Sequence, residues 1–154
     1  MKTNYLFLFI KVNIEYLYKS MDLKIIKIAS NSKNNNLLED FTDKFKKKNP
    51  ICGDEIEISF KIKNKKILDI GYKSKSCIYC EASASLLSEK CKKKSITKIK
   101  NLVETVENFF EDPSTKFPKE WNGFIKVINK DNISRKQCLV LPFNVLSKLI
   151  KNYE

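Results

Sequence analysis

The chain has 154 residues, 42% of them hydrophobic, which suits one domain with an ordinary buried core. Thirty lysines and arginines against 18 acidic residues give a formal net charge of +12, yet 29 of the 30 are lysine and 15 further residues are asparagine, a bias that an AT-rich coding sequence produces. Histidine is absent, which excludes Ser–His and Cys–His catalytic pairs and any histidine metal ligand.

The lysine runs Lys46-Lys47-Lys48 and Lys92-Lys93-Lys94 have no arginine near them and no interleaved stacking aromatics. They read as solvated faces, and no nucleic-acid partner is expected. Cys52, Cys77, Cys80, Cys91 and Cys138 make an odd count without a convincing secretion signal. That pattern implies a reducing, cytoplasmic setting and metal or sulfur chemistry in place of a disulfide framework.

Residues 1–20 carry an apolar run over residues 5–10, broken by Lys11 and Glu15 and too short to span a bilayer. They read as an extra strand or a poorly packed, disordered extension, untranslated if Met21 is the start, with the domain proper over residues 21–154. Residues 23–29 suit a short helix, 31–36 a polar loop, and 41–46 a short edge strand whose lysines discourage further pairing.

Asn49-Pro50-Ile51-Cys52-Gly53-Asp54 is a turn sequence, the proline fixing one φ and the glycine permitting a positive one. Ile56, Ile58, Phe60 and Ile62 alternate with polar residues, Asn64-Lys65 supplies a turn, and Leu68, Ile70 and Tyr72 alternate on the way back. The pair predicts a β-hairpin. A helix over about residues 81–92 follows, with Ala82, Ser85, Leu86 and Glu89 on one face. A second spans about 95–111 with Ile96, Ile99, Val103, Val106 and Phe110 inside.

Residues 115–134 read as a loop or weakly ordered insertion holding Phe117, Pro118 and Trp121. A final helix carries Cys138, Leu141, Val145, Leu146 and Leu149, with Pro142 admissible only in its first turn. Strands followed by helices predict an α+β fold, a small antiparallel sheet with helices packed on one face.

Cys77 stands where the return strand gives way to a helix start, beside free N–H groups and the positive end of the helix dipole, both of which favour the thiolate. Cys52 and Asp54, separated by one flexible glycine, can turn toward one point. With Cys77 and Cys138 they offer three thiolates and one carboxylate, a set that zinc accepts tetrahedrally and that an iron–sulfur cluster also accepts. The competing reading makes some of these thiols small buried hydrophobes. Cys77-Ile78-Tyr79-Cys80 is formally C-x-x-C, but a lone C-x-x-C is a weak signal, so Cys80 reads as a bystander, with a resolving thiol or substitute ligand as the alternative; Cys91 reads as incidental, mid-helix among lysines.

In their order, N-P-I-C-G-D at residues 49–54, Cys77 ahead of Ala82-Ser83-Ala84-Ser85, and Arg135-Lys136-Gln137-Cys138 resemble the iron–sulfur cluster assembly family of SufU, IscU and the N-terminal domain of NifU. The likeness covers residues 49–150. Gln137 where IscU-type members carry a histidine, the long stretch between Cys77 and Cys138, Arg135 ahead of the third cysteine, and Leu141-Pro142-Phe143 make the chain most similar to SufU. The resemblance implies the α+β fold of that family and one zinc ion on Cys52, Asp54, Cys77 and Cys138, with Arg135 in support. It implies a pyridoxal-phosphate cysteine desulfurase as partner, and Cys52 as the thiol that accepts persulfide sulfur and relays it to downstream iron–sulfur assembly machinery, with no membrane partner. Such a protein is a sulfurtransferase-like relay without an independent turnover. The alternative role within the family is a scaffold on which an iron–sulfur cluster forms transiently. Two departures stand out. Ser74 and Ser76 replace family glycines, at a cost of about 1 kcal/mol each if those positions need positive φ. The family's N-terminal H-Y-x-N-P-R-N stretch is absent from residues 29–36, which alters part of the expected partner-facing surface.

Overall fold

The computed structural model describes residues 23–31 and 33–154. The expected extension over residues 1–20, and Met21 as a start, lie outside them. The architecture is α+β as the sequence predicts. Helix α1 (Leu23–Ala29) precedes a three-stranded antiparallel sheet of β1 (Asp43–Lys48), β2 (Glu55–Lys63) and β3 (Lys66–Lys75) in sequential order. Helices α2 (Ile78–Cys91), α3 (Ile96–Glu111) and α4 (Lys136–Ile150) follow.

The sheet forms where period-two burial predicts it. Ile56, Ile58 and Phe60 of β2 and Ile70 and Tyr72 of β3 are all within 1% of full burial. Asn64 and Lys65 close the hairpin with φ of 51° and 54°, the positive pair that a type I′ turn demands. On the edge strand the lysines are matched across the ladder, Lys46 with Glu55 at 2.6 Å and Lys44 with Glu57 at 3.7 Å. The free edge of β3 is covered, because Tyr72 donates its N–H to the Asn34 carbonyl and Ile67 donates to that of Lys94. Gly71 allows that cover: a Cβ there would sit 2.1 Å from the Asn36 carbonyl oxygen.

Five sequence expectations are corrected. Leu68 does not share the inner face with Ile70, because the register slips between Lys61 and Ile62; Leu68 becomes the extra residue, 39% exposed, and Ile67 turns inward instead. Helix α2 does not have one buried face, since every residue from Ala82 to Ser88 is buried while Glu89 is exposed. Its small side chains let it lie between α1, β3 and α4. In α3 it is Phe109 that enters the core, Phe110 being only partly buried.

Residues 115–134 are not a peripheral loop. They hold two 3-10 helices (Lys119–Lys126 and Lys130–Arg135), and Trp121, Phe124 and Val127 are fully buried. The Phe124 ring meets Phe143 of α4 at 5.6 Å between centroids, so this segment completes the core around α4. Finally, Pro142 is the seventh residue of α4 and not in its first turn. It has no N–H to offer the Cys138 carbonyl, a loss set against the burial of Phe143, Val145 and Leu146 beyond it. Ser83 of α2 donates its hydroxyl to the neighbouring Leu139 carbonyl at 2.7 Å, fastening this part of α4 to α2.

Candidate metal centre

Three chain segments meet at one end of the sheet. The β1–β2 turn brings Cys52 and Asp54, the β3–α2 junction brings Cys77, and the first turn of α4 brings Cys138. Ligand atoms of Cys52, Asp54 and Cys138 all lie within 4.8 Å of one another. Cys77 stands outside that mutual grouping but next to it. Its N–H donates to Asp54 Oδ1 at 2.9 Å, and its thiol is close enough to that of Cys138 to act on its ionisation.

Local structure sets each position. Gly53, at φ 77°, lets the chain fold back so that Cys52 and Asp54 face the same point. Cys77 is the N-cap residue of α2 with an extended backbone and no side-chain cap of its own. The Asp54 carboxylate serves that helix end instead, where the dipole favours negative charge. Glu81, one turn into α2, accepts from Tyr72 Oη at 2.8 Å, from Asn35 at 3.2 Å and from the Ser74 hydroxyl, and so pins the end of β3 to the start of α2. Burial and the Glu81 carboxylate push the Tyr72 phenol well above its usual range, keeping it a donor. The expected cost of Ser74 and Ser76 does not arise, because neither is among the residues with positive φ.

The electrostatics fit a cation. Asp54 is buried, and its Oδ2 has no hydrogen-bond partner. The Cys138 thiol is pushed upward by burial, then by the Cys77 thiol, Asp54 and Cys52 gathered around it. A buried carboxylate oxygen without a partner, set among three thiols, is costly as it stands and becomes favourable around a divalent ion. Three sulfurs and one oxygen form a set that zinc takes readily, so the residues fit the group. Cys52 is the exposed thiol of the set, Cys77 is intermediate and Cys138 is buried.

Neither Cys80 nor Cys91 belongs to the group within mutual ligand distance. Cys80 is fully buried and its pKa rises to about 12, chiefly through burial, so it packs as a small apolar side chain. Cys91 is not mid-helix; it is the last residue of α2, buried, and also raised to about 12 by burial. Arg135, expected to support the site, precedes α4 and lays its guanidinium 5.1 Å from the Tyr79 ring centroid, bridging the starts of α4 and α2. Tyr79 and Glu81 had no part in the expectations for the site, and buried Asn49 entered only as the first residue of the turn motif. Only Asn49 carried a signal, its place ahead of Pro50 in the turn motif.

The family described as the NifU-like N terminal domain matches residues 20–128 by its sequence pattern, a stretch that includes Cys52, Asp54 and Cys77 but ends before Cys138. The chain is 27% identical over 127 residues to a protein of Thermotoga maritima named iron-sulfur cluster assembly scaffold protein IscU, covering 82% of this chain and 89% of that one. Its fold is similar to that of a putative iron–sulfur cluster assembly scaffold protein for the SUF system from Fervidobacterium islandicum. There the TM-score is 0.75 at 21% identity, over 83% of this chain and 94% of the other. It is also similar to the N-terminal part of a nitrogen-fixing NifU-like protein from Brucella abortus, with a TM-score of 0.71 at 16% identity over 83% and 90% of the two chains.

Proposed function

Because the chain belongs to the NifU-like N-terminal domain family, we propose that it serves iron–sulfur cluster assembly as a zinc-dependent acceptor of persulfide sulfur. The observation that carries this reading is the convergence of Cys52, Asp54 and Cys138 within 4.8 Å beside Cys77, with only Cys52 exposed. A pyridoxal-phosphate cysteine desulfurase is the sulfur donor. Bound zinc would hold the thiols of the set deprotonated at neutral pH. Cys52, on an exposed turn, can leave the ligand set without disturbing the core, whereas Cys138 is fixed in α4. The Cys52 thiolate attacks the outer sulfur of the enzyme persulfide. The S–S bond to the enzyme breaks, its cysteine leaves as a thiolate, and Cys52 carries the persulfide onward to downstream assembly machinery.

Asp54 would supply the hard oxygen ligand, and its Oδ1 accepts from the Cys77 N–H. All five cysteines are free, in keeping with work in the reducing cytoplasm. Among the described residues no helix is long and apolar enough to cross a membrane.

A second reading has the cluster itself as cargo, assembled on the same three cysteines and then passed on. It is favoured by the scaffold name of the Thermotoga relative. Metal analysis of protein purified without reconstitution separates the two. Stoichiometric zinc without visible absorbance supports transfer, and a brown cluster-bearing protein supports the scaffold. Desulfurase turnover supplies the direct test. The acceptor role requires faster turnover with this protein than without it, and loss of that gain in Cys52→Ala. Equal turnover in all three conditions eliminates it.

A further inference from the structure

Of the candidate ligands, Cys52 is the one the core does least to hold. Its neighbours Ile51 and Gly53 are exposed, Ile51 by 79%, and a Cβ at Gly53 would meet nothing within 4 Å. The turn is nevertheless placed within ligand distance of a helix 86 positions further on. Hydrogen bonds must therefore supply the position that packing does not.

They converge on Asn49, which is 5% exposed. Its N–H donates to the Asp54 carbonyl at 2.7 Å, and its carbonyl accepts from Gly53 N–H at 2.9 Å. These two bonds close the turn and would survive a change of side chain. Its side chain does two further things. Oδ1 accepts from Ile51 N–H at 2.9 Å, which sets the chain direction going into Cys52. Nδ2 donates to the Gln137 carbonyl at 3.4 Å, the residue immediately before Cys138.

We propose that Asn49 is a positioning residue for the metal centre: its side chain locks the Cys52 turn and ties it to the first turn of α4, so that the sulfurs of Cys52 and Cys138 are held at ligand spacing before the metal arrives. This rests on the metal-centre reading above. Asn49 touches no metal and no sulfur; it acts through the two segments it joins. Pre-setting the donors is the usual work of residues around a metal site, and their loss typically weakens metal binding about 10–100-fold.

The test compares zinc affinity, by competition with a chromophoric chelator, in wild type, Asn49→Ala, Asn49→Asp and Ser88→Ala. Asn49→Ala removes both side-chain bonds. Asn49→Asp keeps an oxygen for Ile51 N–H but sets an oxygen against the Gln137 carbonyl, breaking the tie alone. Ser88→Ala removes another buried hydrogen-bonding side chain, which donates to Ser85 at 2.8 Å, about 16 Å along α2 from Cys77. Both Asn49 variants are expected to lose at least about tenfold in zinc affinity, with Ser88→Ala at wild-type affinity despite a lower melting temperature. Should Asn49→Ala not fold, Asn49→Asp decides.

Hydrogen exchange on the metal-free proteins gives a second readout. The Ile51 amide should exchange at least about tenfold faster in Asn49→Ala, with the amides of β2 unchanged. Affinities within threefold of wild type, or an unchanged Ile51 amide, overturn the inference. Failure of the wild type to bind zinc, with Ile51 still released by Asn49→Ala, instead overturns the zinc reading and leaves the turn lock supported.

Discussion

Replacing Asp54 by asparagine should raise the stability of the metal-free protein and lower that of the zinc-loaded one. In the absence of metal, Asp54 Oδ2 is buried without a partner, a situation that costs about 1–3 kcal/mol. Asn keeps an oxygen for the Cys77 N–H, now accepted by Oδ1 at 2.9 Å, and a neutral amide is cheaper to bury than a carboxylate. A gain of about 1 kcal/mol follows, or about 2–4 °C in Tm for a domain of this size. Zinc reverses the order. At free zinc about 1,000 times the wild-type Kd, binding stabilises by about 4 kcal/mol, or about 8–16 °C. Loss of the anionic oxygen donor should weaken zinc about 100-fold, leaving about 1.4 kcal/mol and about 3–6 °C at the same zinc concentration. Thermal melts of both proteins with chelator and with zinc measure all four values. A metal-free Asp54→Asn protein that melts below wild type, together with an undiminished zinc shift, would refute the view of Asp54 as a carboxylate held in readiness for a cation.

Trp121→Ala should destabilise by about 3–5 kcal/mol in chemical denaturation, since the ring is fully buried and packs on Phe124 at 6.1 Å; a cost near zero would return residues 115–134 to the periphery. Stability should also fall as pH rises above 9. The buried Cys80 and Cys91 thiols stay protonated up to about 12 while their unfolded counterparts lose the proton near 9, so the folded state binds more protons in that window. Each thiol then contributes a decline of about 1.4 kcal/mol per pH unit, fully absent below pH 9 and exhausted near 12. Urea titrations of wild type and Cys91→Ala at pH 8, 9 and 10 should show the variant's decline shallower by that amount, and parallel declines would count against it.

The strands, the hairpin turn and the limits of α3 were legible because they depend on neighbours in sequence. Alternation of Ile56, Ile58 and Phe60 specifies a half-buried strand whatever it packs against, and Ser95 caps α3 through the Lys98 N–H. The candidate ligands were legible as residue types in a family order. Their identity came from resemblance, since the spacing from Cys52 to Cys138 fits no compact metal motif.

Tertiary structure decided what depends on partners distant in the chain. The bulge that exposes Leu68 and buries Ile67 is a property of the β2–β3 pairing and leaves no trace in β3 alone. The all-round burial of α2 required α1, β3 and α4 to be in place around it, and its mixture of serines, alanines and leucines has no amphipathic stripe to announce that. Trp121 and Phe124 enter the core on 3-10 turns, which have no long hydrophobic period to detect. The contrast is sharpest at the candidate metal centre. By itself the sequence determined that four donors exist, because donor chemistry belongs to the residue. Only the fold decided that Cys52, Asp54 and Cys138 come within 4.8 Å, that Cys77 bonds Asp54 through its backbone, and that Cys52 is left exposed while Cys138 is buried, because distance and exposure belong to the packing of segments that the chain keeps far apart.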